Sequence, residues 1–117
     1  MKIKNKRKSK NEFRYNYTHK HMNYVFEEDG KKYHSVGITH DRTTWDSRKR
    51  KRHKNMPLQQ NPQKNKNEPS YIRYGIITDK KENYSKRVAT NFNFSSDDFK
   101  NVKSKIRNYK NKRRKNK

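Results

Sequence analysis

Residues 22–40, MNYVFEEDGKKYHSVGITH, contain the strongest structural signal in the chain. Residues 22–27 and 32–40 are rich in the β-branched and aromatic side chains that favour strands. Between them lies Asp29-Gly30, a dipeptide typical of tight hairpin turns, because glycine reaches a positive φ at no steric cost. The sequence therefore predicts that these two segments pair as an antiparallel hairpin.

The second strand of this hairpin ends in a histidine. His34, Val36, Ile38 and His40 alternate along it, so they share one face of the strand. Because Val36 and Ile38 are expected in the core, the pattern predicts that His40 points to the core side at the strand end. A histidine held in this way suits either catalysis or phosphate binding.

Three further segments have strand character. Phe13, Tyr15 and Tyr17 alternate with other residues, as in a short extended segment. Residues 70–78 (SYIRYGIIT) are the best strand in the sequence, and residues 88–94 (VATNFNF) are a candidate fourth strand.

A C-terminal helix is predicted to follow these strands. Ser95 or Ser96 can cap it, and the two aspartates that come next suit the positive end of the helix dipole. Its buried face is marked by apolar residues at helical spacing, namely Phe99, Val102, Ile106 and Tyr109. The fold class is therefore α+β, with a small antiparallel sheet of about four strands packed against this helix.

The ends and the middle of the chain are predicted to lack regular structure. Residues 1–12 and 110–117 are basic and are predicted to be disordered tails, which leaves a single domain over residues 13–109. Residues 41–69 contain all three prolines and few apolar residues. They are predicted to form a long basic loop that is disordered or weakly ordered in the free protein.

Charge dominates the composition. Lysine and arginine number 34 against 11 acidic residues, which gives a formal net charge of +23, and only 25% of residues are hydrophobic. Like charges destabilise a compact state unless a polyanion neutralises them. No apolar run approaches the ~20 residues of a membrane span, and without cysteine there are no disulfides or thiolate metal sites. The sequence therefore predicts a cytoplasmic protein that binds nucleic acid and has no membrane partner.

Histidines provide the candidate chemistry. A metal-free ribonuclease uses the 2′-hydroxyl of RNA as its nucleophile and needs a base, an acid and cations. His21 and His40, each next to a strand of the hairpin, are the candidate acid and base, and Arg73 is the candidate catalytic cation. A metal site built from His19, His21 and His40 lacks an acid or cysteine spaced to complete it, so no cofactor is expected.

Further residues are predicted to bind RNA by neutralising phosphate, donating hydrogen bonds or stacking on bases. Those near the strands are Lys20, Thr39, Ser70 and Tyr71. Five consecutive cations add phosphate contacts, namely Arg48, Lys49, Arg50, Lys51 and Arg52. Other interpretations stay open, because Tyr71 and Tyr74 could equally be core residues. The run of cations could equally be a solvated surface or a nuclear-localisation signal.

Several short motifs lie in order along the chain: His21 with Tyr24-Val25-Phe26, Tyr33 with Ser35 to His40, Leu58 with Asn61-Pro62, Ser70-Tyr71-Ile72, and Phe94-Ser95 with Asp98. Together they resemble a group of small prophage and mobile-element proteins. That group is placed with the barnase–EndoU–colicin–RelE class of metal-independent RNases. The resemblance covers residues 20–108 and implies a small antiparallel sheet packed on a helix, with RNA cleavage as the usual activity. The basic insertion at 46–54 departs from the pattern.

Two functional hypotheses follow. In the first, the protein is a metal-independent endoribonuclease of toxin or phage type that acts on RNA and could meet a protein inhibitor or immunity partner. In the second, it is a non-catalytic binder of nucleic acid or of a ribonucleoprotein, such as an anti-defence protein. A histidine at a strand end suits both, so the sequence leaves both open.

Overall fold

The computed structural model describes residues 7–115, and within that range it contains eight strands and one α-helix. The strands are β1 Lys8–Asn16, β2 His21–Asp29, β3 Lys32–Thr39, β4 Thr43–Asp46, β5 Lys51–Lys54, β6 Met56–Pro57, β7 Tyr71–Ile72 and β8 Ile77–Lys80, and the helix is α1 Ser96–Lys115. Six strands form an antiparallel sheet in the order β1-β2-β3-β7-β6, with β8 also paired to β3. β4 and β5 form a separate hairpin. The α+β class is confirmed, with six strands in the sheet rather than about four.

The predicted hairpin of β2 and β3 lies at the centre of the sheet. Asn23 lies opposite Gly37, and Asp29 lies opposite Lys32. The loop is tight because Gly30 adopts a φ of 58°, in the left-handed region that glycine reaches without strain. β1 pairs with the other edge of β2 and contains most of the predicted extended segment.

The predicted strand 70–78 is present but interrupted. β7 and β8 both pair with the same edge of β3. Between the two paired stretches, residues 36–37 of β3 face the four residues 73–76 that connect β7 to β8. The extra residues bulge out of the ladder, and Gly75 within them adopts a φ of 79°. This bulge carries Arg73 and Tyr74 and so decides where both side chains lie.

Residues 88–94, the candidate fourth strand, form no strand. Residues 83–89 instead follow the outer edge of β1 through separate backbone hydrogen bonds: Tyr17 N–H to Asn83 O at 2.8 Å, Ser85 N–H to Tyr15 O at 2.8 Å, and Ala89 N–H to Phe13 O at 2.7 Å. The strand prediction was wrong because Ala89 and Phe92 pack on the core from an irregular segment. The place beside β3 is taken by β8.

The main core lies between the sheet and α1. Val102 and Ile106 of the helix are buried against it, and the helix begins where predicted, since Asp98 N–H donates to Ser95 Oγ at 3.1 Å. The other buried members of this core are Phe13, Tyr24, Phe26, Val36, Ile38, Ile72 and Phe94. Aromatic rings therefore supply much of the apolar packing in a chain with few aliphatic residues.

The opposite side of the sheet, which we call the helix-free face, has a smaller core of its own. Val25, Tyr33 and Tyr84 are buried together there, and the Tyr84 hydroxyl lies 2.8 Å from Ser35 Oγ. Tyr84 reaches this face because the chain crosses back from β8 to the edge of β1. Among the other residues of this face, His21, Tyr71 and Arg73 are partly exposed.

Regular structure extends beyond the predicted residues 13–109. β1 begins at Lys8 and α1 ends at Lys115, so parts of both predicted tails lie in a strand or a helix. Acidic residues of β2 pair with lysines in both of these parts, which explains how such basic segments join the fold. Residues 1–6 and 116–117 of the predicted tails lie outside the described residues.

The prediction that residues 41–69 lack regular structure was wrong in the first half of this segment. Residues 43–57 contain β4, β5 and β6, and Pro57 itself lies in β6. Hydrogen bonds of polar side chains, described below, order this region. Residues 58–70 contain no strand.

A buried carboxylate joins the chain after β6 to the start of α1. Asp98 is 1% exposed. Its two oxygens accept the backbone N–H groups of Gln59 at 2.9 Å and Gln60 at 3.1 Å. Nearby, Asn93 N–H donates to Pro62 O at 2.7 Å. The motif pieces around Leu58 to Pro62 and Phe94 to Asp98 therefore meet in space as one structural unit.

Replacing Asp98 with alanine should lower the free energy of unfolding by about 1–3 kcal/mol, because two N–H groups lose their acceptor. Asp97→Ala is the matched control, since Asp97 lies in the same helical turn but is exposed. It should lose only about 0.3–1 kcal/mol, through the helix dipole. Urea unfolding measures both, and equal losses would contradict the role assigned to Asp98.

Candidate nucleic-acid interface

The strand register places several predicted site residues on the helix-free face. Thr39 of β3 lies opposite Tyr71 of β7. His21 continues this row on β2, because Asn23 lies opposite Gly37 and side chains two residues apart share a face. Residues from three strands therefore meet on one surface.

Arg73 lies one row further along the same face. Its backbone N–H donates to Gly37 O at 2.9 Å, and a Cβ atom added at Gly37 would come within 3.1 Å of Arg73 Cδ. The missing side chain at Gly37 thus leaves room for the arginine to lie across β3. From there its charge acts on His21.

His21 has the properties of a proton acceptor. It is half-buried, and its pKa is lowered from 6.5, first by burial and then by the positive charge of Arg73. Asp41 raises the pKa, while His19 and His40 lower it further. A lowered pKa keeps the imidazole neutral at pH 7, so a ring nitrogen can accept a proton.

His40 does not point into the core as predicted. β3 ends at Thr39, so His40 leaves the ladder, and its side chain is 61% exposed. Its Nδ1 lies 2.9 Å from Pro69 O, and because a carbonyl oxygen only accepts, Nδ1 carries the proton. Nε2 lies 3.7 Å from a carboxylate oxygen of Glu68. The imidazole is therefore oriented, accessible and close enough to His21 to lower its pKa.

The other predicted RNA contacts near the strands differ in accessibility. Lys20 is exposed in the turn between β1 and β2, with a φ of 59°. Tyr71 is half-buried. Thr39 and Ser70 are only 5% and 2% exposed, and Thr39 Oγ1 accepts the N–H of Asp41 at 3.1 Å. Lys20 and Tyr71 are accessible to a ligand, whereas Thr39 and Ser70 are buried.

The hairpin of β4 and β5, which we call the basic arm, comprises residues 43–54. It carries the five predicted phosphate-binding cations, all exposed: Arg48, Lys49 and Arg50 in the turn, and Lys51 and Arg52 in β5. Within residues 7–115, none of these side chains pairs with a carboxylate. The arm therefore presents uncompensated positive charge to solvent.

The basic arm is fixed against the bulge between β7 and β8. The rings of His53 and Tyr74 stack with centroids 4.0 Å apart. Asp46 Oδ2 lies 3.0 Å from the Tyr74 hydroxyl and 3.2 Å from His53 Nε2. Asp46 Oδ1 accepts the backbone N–H groups of Arg48 at 3.0 Å and Lys49 at 3.2 Å. These hydrogen bonds lower the pKa of Asp46 to about 2, and the bond from the Lys49 backbone is the largest cause.

A buried amide fixes the base of the arm. Asn55 Oδ1 accepts the backbone N–H of Tyr74 at 3.0 Å. Asn55 Nδ2 donates to Asp41 O at 2.9 Å and to Thr44 Oγ1 at 2.9 Å. Polar side chains thus order a region whose low hydropathy predicts disorder.

Trp45 is an exposed aromatic residue that the sequence analysis did not single out. This side chain lies in β4 opposite Arg52 and is 53% exposed. The available signal was the run of β-forming residues 43–45, followed by Asp46-Ser47 as turn residues. That pattern predicts a hairpin, and a hairpin with alternating faces brings the tryptophan beside cations.

Comparisons with protein-family models, with curated proteins and with solved structures find no match to this chain. Within residues 7–115, no three His, Cys, Asp or Glu side chains are grouped so that they could hold a metal ion. In the same range, no helix has the length and apolar character needed to cross a membrane. Function is therefore inferred from the geometry and charge of the residues described above.

Arg73→Gln should raise the pKa of His21 toward 6.5 without restoring it fully, because burial, the larger cause, remains. Proton NMR titration of the imidazole measures the change. Arg87→Gln is the control, because Arg87 is exposed on the segment 83–89 that runs along the outer edge of β1. This variant should leave the pKa of His21 unchanged. The same pKa in Arg73→Gln as in the wild type would contradict the placement of Arg73 beside His21.

Proposed function

We propose that this protein is an RNA-directed, metal-independent endoribonuclease. The supporting observation is the combination, on the helix-free face, of a half-buried imidazole with a lowered pKa, His21, and the guanidinium of Arg73. A second imidazole, His40, is within electrostatic reach of the first. Two proton-transfer groups and a cation are what RNA cleavage through the 2′-hydroxyl requires.

In this proposal, His21 acts as the general base. It takes the proton of the 2′-hydroxyl, whose oxygen then attacks the adjacent phosphorus. The bond from phosphorus to the 5′-oxygen breaks, and protonated His40 delivers a proton to that oxygen from Nε2. Arg73 neutralises the charge that develops on the non-bridging oxygens. The products are a 2′,3′-cyclic phosphate and a 5′-hydroxyl, and the proton balance needs no metal.

The hydrogen bond of His40 to Pro69 supports this assignment. A histidine whose Nδ1–H is held by a backbone carbonyl presents Nε2 in a fixed direction. A carboxylate oxygen of Glu68 lies 3.7 Å from Nε2, the nitrogen from which the proton would be donated. His21 and His40 would then divide the roles of base and acid by their different surroundings.

A non-catalytic RNA binder is the second candidate function. The high exposure of His40 and the unpaired cations of the basic arm favour it, because solvated imidazoles and surface cations contact phosphate without proton transfer. In that case the helix-free face and the arm would hold RNA by charge. The protein would then act by blocking access to the bound RNA or ribonucleoprotein, as an anti-defence protein could.

We further propose that the chain belongs with the prophage and mobile-element RNases that its motif pieces resemble. Two of its motif pieces meet at Asp98, and others supply the β2–β3 hairpin that carries the histidines. A toxin of this kind would act on RNA in the cytoplasm and would need a protein inhibitor in its own host. An acidic inhibitor would complement the basic arm.

His21→Ala should cleave labelled RNA about 10²–10⁴-fold more slowly than the wild type in the presence of chelator, because the general base is lost. RNA affinity should stay within a few-fold. His40→Ala should lose a similar factor through loss of the acid.

The matched control for both variants is His19→Ala, which removes an exposed imidazole from the turn before β2. Because His19 is only a minor cause of the lowered pKa of His21, this variant should stay within a few-fold of the wild-type rate. Cleavage by the wild type has to persist in chelator. If the wild type does not cleave, or stops cleaving in chelator, the catalytic proposal fails and the binder remains.

A further inference from the structure

Trp45 is the one tryptophan in the chain and is 53% exposed. A buried indole normally contributes substantially to stability. An exposed indole on an ordered strand lacks that contribution, and ligand binding is a candidate role for it. It lies directly opposite Arg52 on β5. An exposed indole beside a cation is the combination found where bases stack and phosphates are neutralised.

The two faces of the basic arm have different surroundings. Side chains alternate between the faces of a strand, so Thr44, Asp46 and His53 share one face and Trp45 and Arg52 share the other. The first face is the one whose Asp46 and His53 contact Tyr74 on the body of the protein. Trp45 and Arg52 therefore lie on the outer face, which points away from the sheet.

The Arg52 side chain makes one long hydrogen bond on the outer face. Its Nη1 donates to Thr43 Oγ1 at 3.4 Å, on the same outer face. The turn of the arm, with Arg48, Lys49 and Arg50, continues the positive charge beyond Trp45. The outer face thus offers an aromatic platform with Arg52 opposite it, and the exposed cations of the turn follow next along the arm.

We propose that the outer face of the basic arm binds an unpaired stretch of RNA, with one base stacked on Trp45 and the adjacent phosphates bound by Arg52 and the turn cations. This inference rests on the proposed RNA-directed function and adds a binding site separate from the helix-free face. Single-stranded RNA fits better than duplex, because base faces are free to stack only where the strand is unpaired. The arm anchors a strand that the histidines would cut.

An anionic membrane surface would also attract cations and an indole. The arm is poorly suited to it, because Trp45 is the one large apolar side chain among residues 43–54. Interfacial binding to lipid scales with buried apolar area, and a single ring supplies little.

The fluorescence of Trp45 reports on this site alone, since no other tryptophan is present. The probe is a single-stranded oligouridine with 2′-O-methyl groups, which cannot be cleaved through its 2′-oxygen. Titration should quench the fluorescence to saturation. Trp45→Ala should bind the labelled probe about 5- to 150-fold more weakly, which is the stacking energy of about 1–3 kcal/mol converted at 1.4 kcal/mol per tenfold.

Two further variants sharpen the test. Trp45→Phe keeps an aromatic platform and should retain much of the affinity that Trp45→Ala loses. Tyr17→Ala is the matched control, because it removes an aromatic ring that is 57% exposed but lies in the turn between β1 and β2. It should bind the probe like the wild type.

The outcomes separate the two proposals. If the wild type does not bind the probe, the RNA-directed function itself fails. If the wild type binds but Trp45→Ala binds equally well, or Tyr17→Ala loses as much affinity, the stacking site on the arm is refuted while the function stands. Quenching by vesicles containing phosphatidylserine but not by the oligouridine would assign the outer face to a membrane instead.

Discussion

Net positive charge is the constraint around which this molecule is organised. With a formal charge of +23 and 11 acidic residues, most cations have no carboxylate to pair with. Three acidic residues are concentrated at the end of β2, namely Glu27, Glu28 and Asp29. They pair with cations from β1, from the chain after β8, and from α1. Glu28 lies 3.0 Å from Lys10 and 3.4 Å from Lys81, and its hydrogen bond to Lys10 is the first cause of its lowered pKa. Each exposed pair contributes little alone, but together they bring three basic segments to one end of the sheet.

His21 lies at the opposite end of β2, ~26 Å from Asp29 at about 3.3 Å per residue. Two other acidic residues accept hydrogen bonds from backbone N–H groups. Asp46 accepts them from the turn of the basic arm, and Asp98 accepts them from the chain after β6. The cations of the arm therefore stay uncompensated within the described residues. In our proposal RNA neutralises them, because it supplies both the phosphates that match this charge and the bases that match an exposed indole.

Local signals in the sequence were sufficient where the structure depends on local geometry. Asp29-Gly30 identified the central hairpin, and Ser95 with the apolar stripe after it identified α1, because turns and caps are decided within a few residues. The basic arm could not be found from hydropathy, since Asn55 and Asp46 order it through hydrogen bonds to distant residues. Arg73 was predicted as a site residue from the sequence, but the bulge that directs its side chain could not be predicted, because it arises from how β7 and β8 share β3. His40 was predicted to point to the core side because it lies two residues after Ile38 on the same face of the strand. This prediction was wrong because β3 ends one residue earlier, at Thr39.

Cleavage of a DNA oligonucleotide that contains a single ribonucleotide tests most directly whether the RNA supplies its own nucleophile. In chelator, the wild-type protein should cut this substrate only on the 3′ side of the ribonucleotide and leave a 2′,3′-cyclic phosphate there. The all-DNA oligonucleotide should bind and remain intact, because it has no 2′-hydroxyl for His21 to activate. Cuts at deoxyribonucleotide positions, or an intact chimera under conditions in which the protein binds it, would contradict a metal-independent mechanism through the 2′-hydroxyl.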